Sequence, residues 1–153
     1  MTETDFLMFR PMFPGDLPRV LEIEEASFSD PWSEAGFADA MKAPGAMCTV
    51  AARGEKIEGY AIFYTVMDEA QLLNVAIAPE ARGQKIGERM LVIAMQKLEM
   101  RGIRHFYLEV RESNEAARAL YTKIGFGEDG IRRDFYEKPR EDAVLMSFHV
   151  AED

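Results

Sequence analysis

The sequence has a single cysteine, Cys48, and two histidines, His105 and His149. One cysteine cannot make an internal disulfide, and its place in the apolar run 47–52 suits a buried structural thiol. The histidines are far apart in the chain and have no cysteine beside them, so neither a zinc centre nor a histidine-based relay is indicated. No apolar run approaches the roughly 18 residues that mark a membrane span. The opening MTETDFLMFR carries acids where a secretory leader carries Lys or Arg, and no long apolar stretch follows it. Together these absences point to the cytoplasm and exclude a membrane partner. Basic residues are also short: 18 Lys and Arg stand against 27 Asp and Glu, for a net charge of −9. Direct nucleic-acid binding needs phosphate neutralisation and is not expected. The acidic surplus serves solubility or favours a basic partner. Three motifs are missing as well: a Walker Gly-Lys-Ser/Thr, a Gly-x-Gly-x-x-Gly and a Gly-x-Ser-x-Gly elbow. That sets aside nucleoside triphosphatases, dinucleotide dehydrogenases and hydrolases built on such an elbow.

What remains is a chain of 153 residues, 48% apolar, the size of one domain spanning 1–153. A first strand is expected over 6–13, with Phe6, Met8 and Phe13 toward the core. Pro14-Gly15-Asp16 turns into a helix on which Leu17, Val20, Leu21, Ile23, Glu24 and Phe28 recur at helical spacing. Ser33 caps a second helix, 34–42. Strands at 47–53 and 57–66 form a hairpin across Gly54-Glu55, and a tight turn leads into a strand at 70–77. The longest helix runs from about Ile86 to Arg101, with Met90, Met95 and Met100 as core filler and Gly102 as its left-handed cap. Strand 105–111 alternates, with Phe106, Leu108 and Val110 on one side and Tyr107, Glu109 and Arg111 on the other. A short helix, 115–124, and two closing strands, 127–136 and 143–150, complete the order β-α-α-β-β-β-α-β-α-β-β. Hairpins make the early strands antiparallel, and the helical crossover makes 70–77 and 105–111 parallel. The expected fold is therefore α/β (α+β), a mixed, mostly antiparallel sheet with helices on both faces.

Ligands in such sheets gather at the carboxyl ends of parallel strands. Ile77 and Glu109 both lie at such ends. The stretch Leu72–Gly87, LLNVAIAPEARGQKIG, is a strand, a loop with two glycines and a helix start. Free N–H groups and the helix dipole there suit an anionic group. Glu109 sits late in a central strand, where a carboxylate must be paired, hydrogen-bonded or open to a cleft. It either faces solvent, pairs with an arginine such as Arg111, or lines a cleft and takes a proton from an amine. Tyr121 is a core tyrosine or a proton or hydrogen-bond donor to a leaving group, and Asn114 is a helix cap beside the crevice.

The chain resembles the GNAT acetyltransferase superfamily and, within it, the ribosomal-protein-alanine N-acetyltransferases. The resemblance covers nearly the whole sequence. It is carried by Phe28, Pro31-Trp32-Ser33, Asp68-Glu69-Ala70, Leu73-Asn74-Val75-Ala76-Ile77 and the loop Arg82-Gly83-Gln84-Lys85-Ile86-Gly87. It continues through Leu108-Glu109-Val110-Arg111, Ser113-Asn114, Ala119-Leu120-Tyr121, Gly125-Phe126, Ile131-Arg132-Arg133, Tyr136 and Glu141-Asp142-Ala143.

The resemblance implies a GNAT fold whose one parallel pair is splayed at the cofactor site. It implies direct acetyl transfer from acetyl-CoA to an amine, with no metal. The backbone of Val75, Ala76 and Ile77 would hold the pantetheine arm. The backbone of Gly83, Gln84, Lys85, Ile86, Gly87 and Glu88 would cradle the pyrophosphate, Arg82 at the start of that loop would be a further cofactor-binding residue, and Asn114 would touch the cofactor. Glu109 would be the general base and Tyr121 the general acid. Trp32, Asn74 and Tyr136 are candidates to shape the acceptor slot. The implied acceptor is the N-terminal alanine of a basic small-subunit ribosomal protein, met by a monomer or weak dimer. Asp30, Glu34, Asp68, Glu69, Asp134, Glu141 and Asp142 could rim that side. A protein lysine or small-molecule amine is the alternative acceptor, and a non-catalytic CoA-binding interaction module the alternative class. One residue departs from the superfamily pattern: Lys85 stands where a glycine or other small residue is expected, and Glu88 would oppose an anion.

Overall fold

The computed structural model describes residues 6–151, so the reading of the opening MTETDFLMFR as unlike a secretory leader falls partly on residues outside the described ones. Seven strands form one sheet in the order β1-β2-β3-β4-β5-β7-β6. They are β1 (Leu7–Pro11), β2 (Ala46–Arg53), β3 (Lys56–Val66), β4 (Glu69–Ile77), β5 (His105–Arg111), β6 (Gly127–Glu137) and β7 (Arg140–His149). Four α-helices connect them: α1 (Leu17–Ser27), α2 (Glu34–Lys42), α3 (Ile86–Met100) and α4 (Glu115–Ile124). Every pairing is antiparallel except β4 with β5.

The local signals act where the sequence placed them. The Ser33 side chain accepts from the Gly36 N–H at 3.1 Å and starts α2. Asn114 does the same for α4, accepting from Ala117 N–H at 3.1 Å. Gly102 follows α3 with φ +101°, a conformation that favours glycine. The first strand is inverted relative to expectation. Leu7 and Phe9 turn toward the core, whereas Met8 is 62% exposed and Phe6 and Phe13 are exposed too. An edge strand of five residues gives a weak alternation signal, and its phase is set by pairing with β2. Met100 is also exposed and is not core filler, unlike Met90 and Met95, which are buried. Cys48 is half-buried at the core edge, where burial pushes its thiol up. The two histidines meet across β5 and β7, with Nδ1 atoms 2.8 Å apart, although they lie far apart in sequence.

The site is created by an unequal pairing. β4 runs with β3 along its whole length, and β5 runs with β7 along its whole length. The parallel pair joins only Glu69, Gln71 and the residue between them to His105–Tyr107. Beyond Gln71 and Tyr107 the two strands part, and the backbone of the second half of β4 faces a gap.

A β-bulge at Leu73 coincides with that parting: Phe63 pairs with Leu72, but Ile62 pairs with Asn74. Side chains alternate along a strand, so one extra residue moves every later side chain to the other face. Asn74 thereby shares a face with Gln71, toward α1 and α2. Ile77 lies on the opposite face, under α3, and a Cβ at Gly87 would sit 3.6 Å from its Cγ1. Gly59 lets β3 close on this part of β4. A Cβ there would lie 2.6 Å from Ile77 Cδ1 and 2.9 Å from the Ala76 carbonyl oxygen.

Candidate active site

The gap opens into a cavity of about 1260 Å³. Its walls include Val75, Ala76 and Ile77 from β4, Glu109 from β5, Asn114 and Tyr121 from α4, and Gly83, Lys85, Gly87 and Glu88 from the loop and α3. Trp32, Asn74 and Tyr136 line it as well. Residues spread over a hundred positions of sequence thus meet at one place.

The loop before α3 is suited to an anion. Gly83 has φ +83° and nothing within 4 Å of where a Cβ would be, so its backbone lies open. Arg89 is bonded to the Lys85 carbonyl, so the N–H groups of Ile86, Gly87 and Glu88 precede the first helical bond of this turn. The positive end of the α3 dipole adds to them. Lys85 is the N-cap, with φ +61°. A lysine in this left-handed conformation costs about 1–2 kcal/mol relative to an ordinary backbone. Lys85 lines the cavity, and its ammonium forms no ion pair among the described residues. The objection raised by Glu88 is met by a partner the sequence did not suggest. Lys123 of α4 pairs with Glu88 at 2.8 Å, and that contact is the main cause holding the Glu88 carboxyl below its ordinary range.

Two side chains of this loop have protein partners, and Arg82 also lines the cavity. The Gln84 side chain accepts from Arg53 at 2.9 Å, and Gln84 is not among the cavity-lining residues. The Arg82 guanidinium donates to the Ile77 carbonyl and to Ser27 Oγ, both at 3.1 Å. It braces the end of β4 against α1.

Glu109 is half-buried and turns toward the α1 face. Arg111 is not its partner: that guanidinium pairs with Glu141 at 3.2 Å and donates to the Pro139 carbonyl at 2.9 Å. The donor on Glu109 is Gln71 Nε2, 3.3 and 3.4 Å from its two oxygens. Gln71 was missed from sequence because only the register of β4 against β5 brings the two together.

Tyr121 is 6% exposed, its ring packed edge-on against Phe126 at 6.0 Å. Burial, with a smaller effect of Tyr136, holds its phenol well above the ordinary range, so the hydroxyl keeps its proton. Tyr136 lies under the Arg111 guanidinium at 4.3 Å. Burial first, then the Glu109 charge, pushes its phenol up to about 12.

The acidic rim is only partly as expected. Asp30 and Glu141 line the cavity. Glu141 is engaged by the Ser113 N–H at 2.6 Å and by Arg111, contacts that lower its carboxyl. Asp134 pairs with Arg140 at 3.2 Å, Asp142 accepts the Asp134 N–H at 2.8 Å, and neither they nor Glu34 line the cavity. Asp68 and Glu69 lie at the opposite end of the sheet, where the parallel pairing begins. Loop position alone could not tell which end of a strand faces the site.

A second residue missed from sequence is Glu24 of α1. It is 1% exposed, yet it borders the cavity. The signal was available: an acid standing in a helix stripe of Val20 and Ile23 is out of place unless it is hydrogen-bonded.

Comparison with known proteins agrees with this architecture. The sequence model of the acetyltransferase (GNAT) family matches residues 17–126. The [ribosomal protein bS18]-alanine N-acetyltransferase of Escherichia coli K12 is 38% identical over 138 residues, 89% of this chain and 93% of that protein. The crystal structure of the ribosomal-protein-S18-alanine N-acetyltransferase from Escherichia coli superposes with a TM-score of 0.89 at 35% identity, covering 97% and 96% of the two chains. At the level of fold alone, Arabidopsis thaliana NAA60 in complex with acetyl-CoA superposes with a TM-score of 0.85 at 17% identity, over 95% and 99%. By the family match and by the relative at this identity and coverage, the chain belongs to the GNAT acetyltransferase family.

Proposed function

We propose that this protein transfers the acetyl group of acetyl-CoA to the α-amine of the N-terminal alanine of ribosomal protein bS18, acting in the cytoplasm as a monomer or weak dimer. The observation that carries the reading is the β4–β5 gap with Glu109 on one side and Tyr121 on the other, beside an anion-binding helix start. The bS18 acceptor is drawn from the relatives' activity, and the acidic net charge suits a basic peptide.

The parted backbone of Val75 to Ile77 would receive the pantetheine arm and polarise the thioester carbonyl. The open N–H groups at the start of α3, with Lys85, would hold the pyrophosphate. Asn114 would touch the cofactor from the start of α4. Glu109 would take a proton from the incoming ammonium, directly or through a water. The amine nitrogen then bonds to the thioester carbonyl carbon, the C–S bond breaks, the sulfur leaves with the electron pair, and the nitrogen gives up its second proton to water as the amide forms. A peptide α-amine has a pKa near 7.8 and is about one-tenth neutral at pH 7, whereas a lysine amine near 10.4 is almost wholly charged. A carboxylate suffices for the former.

Tyr121 would donate a hydrogen bond to the departing sulfur. Full proton transfer from an ordinary phenol to a thiolate is uphill by about 2 kcal/mol. The raised phenol makes it steeper, so a hydrogen bond that tightens as negative charge develops is the better description of its role. Trp32, Asn74 and Tyr136 would border the acceptor.

The test is a panel of peptides with acetyl-CoA: an alanine-start basic peptide, the same peptide with a blocked N-terminus and a free lysine, and a polyamine. Only the first should be acetylated at an appreciable rate. Equal rates on the blocked peptide would overturn the α-amine reading in favour of a lysine acceptor. Tight CoA binding with no turnover of any amine would make the chain a binding module.

A further inference from the structure

The Glu24 carboxylate has no part in the chemistry above, yet it is the most enclosed acid in the core. Three donors point at it. Tyr60 O–H and Asn74 Nδ2 both donate to Oε1, the latter at 2.8 Å, and the Trp32 backbone N–H donates to Oε2 at 2.9 Å. Among the described residues it forms no ion pair. A buried acid held only by neutral donors gains its fit from geometry, because each donor must be aimed at an oxygen.

Those donors belong to three different parts of the site. Trp32 sits in the connection between α1 and α2, Tyr60 is in β3, and Asn74 is the β4 residue that the bulge turns to this face, immediately before the Val75 backbone. The links close into a ring. Tyr60 meets Phe37 edge-on at 5.6 Å, Phe37 meets Trp32 at 5.1 Å, and Trp32 returns to Glu24 through its N–H. Phe37 and Tyr60 have no exposed surface, and Trp32, partly buried, is the member of the ring that carries it to the cavity.

We propose that Glu24 is a positioning residue for the acceptor, locking the wall formed by Trp32 to the thioester-side strand through Asn74, and so setting how the peptide N-terminus is held against the cofactor. The inference rests on the acetyltransferase reading but not on which amine is the natural acceptor. It follows that Glu24 acts on acceptor binding and not on the cofactor, whose proposed contacts are the β4 backbone at the gap and the start of α3 and include none of the side chains of this network.

Glu24→Gln keeps the shape and breaks the pattern. With its amide nitrogen at the Oε2 position, the new side chain faces the Trp32 N–H, which cannot turn to accept. With it at the Oε1 position, Asn74 must invert its own amide to accept. The first arrangement releases the Trp32 wall, and the second keeps it only by turning Asn74 and Tyr60 from donors into acceptors. A displacement of about 1 Å near reacting groups can cost a factor on the order of 100.

The experiment is steady-state kinetics with both substrates varied. The wild-type enzyme is first assigned an acceptor from the peptide and polyamine panel, and the variants are measured with that acceptor. Failure of the alanine-start peptide there would count against the α-amine reading alone. Glu24→Gln should raise the acceptor KM by about 10-fold and leave the acetyl-CoA KM and the CoA dissociation constant within about 2-fold. Leu98→Ala, a core truncation at the far end of α3, should lower the melting temperature without that split. Phe37→Leu opens the same ring at another link and should raise the acceptor KM by about 3-fold, which keeps the proposal testable should Glu24→Gln not fold. A folded Glu24→Gln enzyme with an unchanged acceptor KM would overturn the proposal. So would equal rises in both KM values, or a Phe37→Leu enzyme indistinguishable from wild type.

Discussion

The two sides of the β4–β5 gap are built from different materials. On the α3 and α4 side the site is mostly backbone: an open glycine, a left-handed N-cap and the first N–H groups of a 15-residue helix. On the α1 and α2 side it is mostly side chains, with Gln71 on Glu109 and three donors on Glu24. A backbone cradle tolerates substitution as long as the chain can follow the turn, which is how a lysine can occupy a position where the superfamily has a small residue. A side-chain network has no such latitude, since each member is defined by its partner's atoms. Substitutions in the loop and first turn of α3 should therefore shift cofactor affinity by small factors, and those of the side chains that act on the reacting groups or the acceptor wall, Tyr121 of α4 included, should change turnover or acceptor binding by larger ones.

The sharpest way to break this contrast is Glu109→Gln. It removes the proposed proton acceptor while keeping the Gln71 contact possible, and turnover of an alanine-start peptide should fall by about 100-fold or more. The fold, followed by circular dichroism, should be unchanged. Tyr121→Phe comes next. Its kcat should drop by roughly 10-fold to 100-fold, with the acetyl-CoA KM nearly constant, because the lost hydrogen bond is made mainly to the developing thiolate. Its pH profile adds a check with a definite sign. A raised phenol stays protonated as pH increases, so kcat should not fall through Tyr121 ionisation below about pH 10. An alkaline limb below that pH which disappears in the Phe variant would contradict the assignment.

A smaller effect is expected at the residue that only orients the base. Gln71→Leu should lower kcat by roughly 5-fold, the scale of one ordinary hydrogen bond, because both Gln71 contacts to the carboxylate are long, at 3.3 and 3.4 Å. The backbone side should yield least. Lys85→Gly relieves a left-handed lysine and should stabilise the cofactor-free protein by about 1 kcal/mol, raising its melting temperature by about 3 °C. The same change removes an ammonium from the helix N-terminus, so calorimetry should show CoA binding about 3-fold weaker. Tighter binding would mean that the lysine is a burden and not a ligand.

How much of this was legible in the sequence follows the same division. The range of β5 and that of α4 agree with expectation because alternation, an Asn cap and a glycine stop are local signals. The cradle was readable as a strand, a loop and a helix start for the same reason. The side-chain face was not. Gln71 reaches Glu109 only through the short parallel register, and Asn74 reaches Glu24 only because of the bulge at Leu73. Neither register nor bulge leaves a local mark on residues 71–74. The inverted phase of β1 has a related cause, since its pairing partner lies some forty residues away. Lys123 against Glu88 likewise depends on how α4 packs on α3.

The central claim is that this chain acetylates the N-terminus of a small-subunit ribosomal protein through Glu109. Its most direct test is the intact mass of ribosomal protein bS18 purified from cells that lack this enzyme. That protein should be lighter by one acetyl group, the wild-type enzyme should restore the mass, and Glu109→Gln should not. A bS18 that keeps its acetyl group without the enzyme, or regains it with Glu109→Gln, would contradict the account.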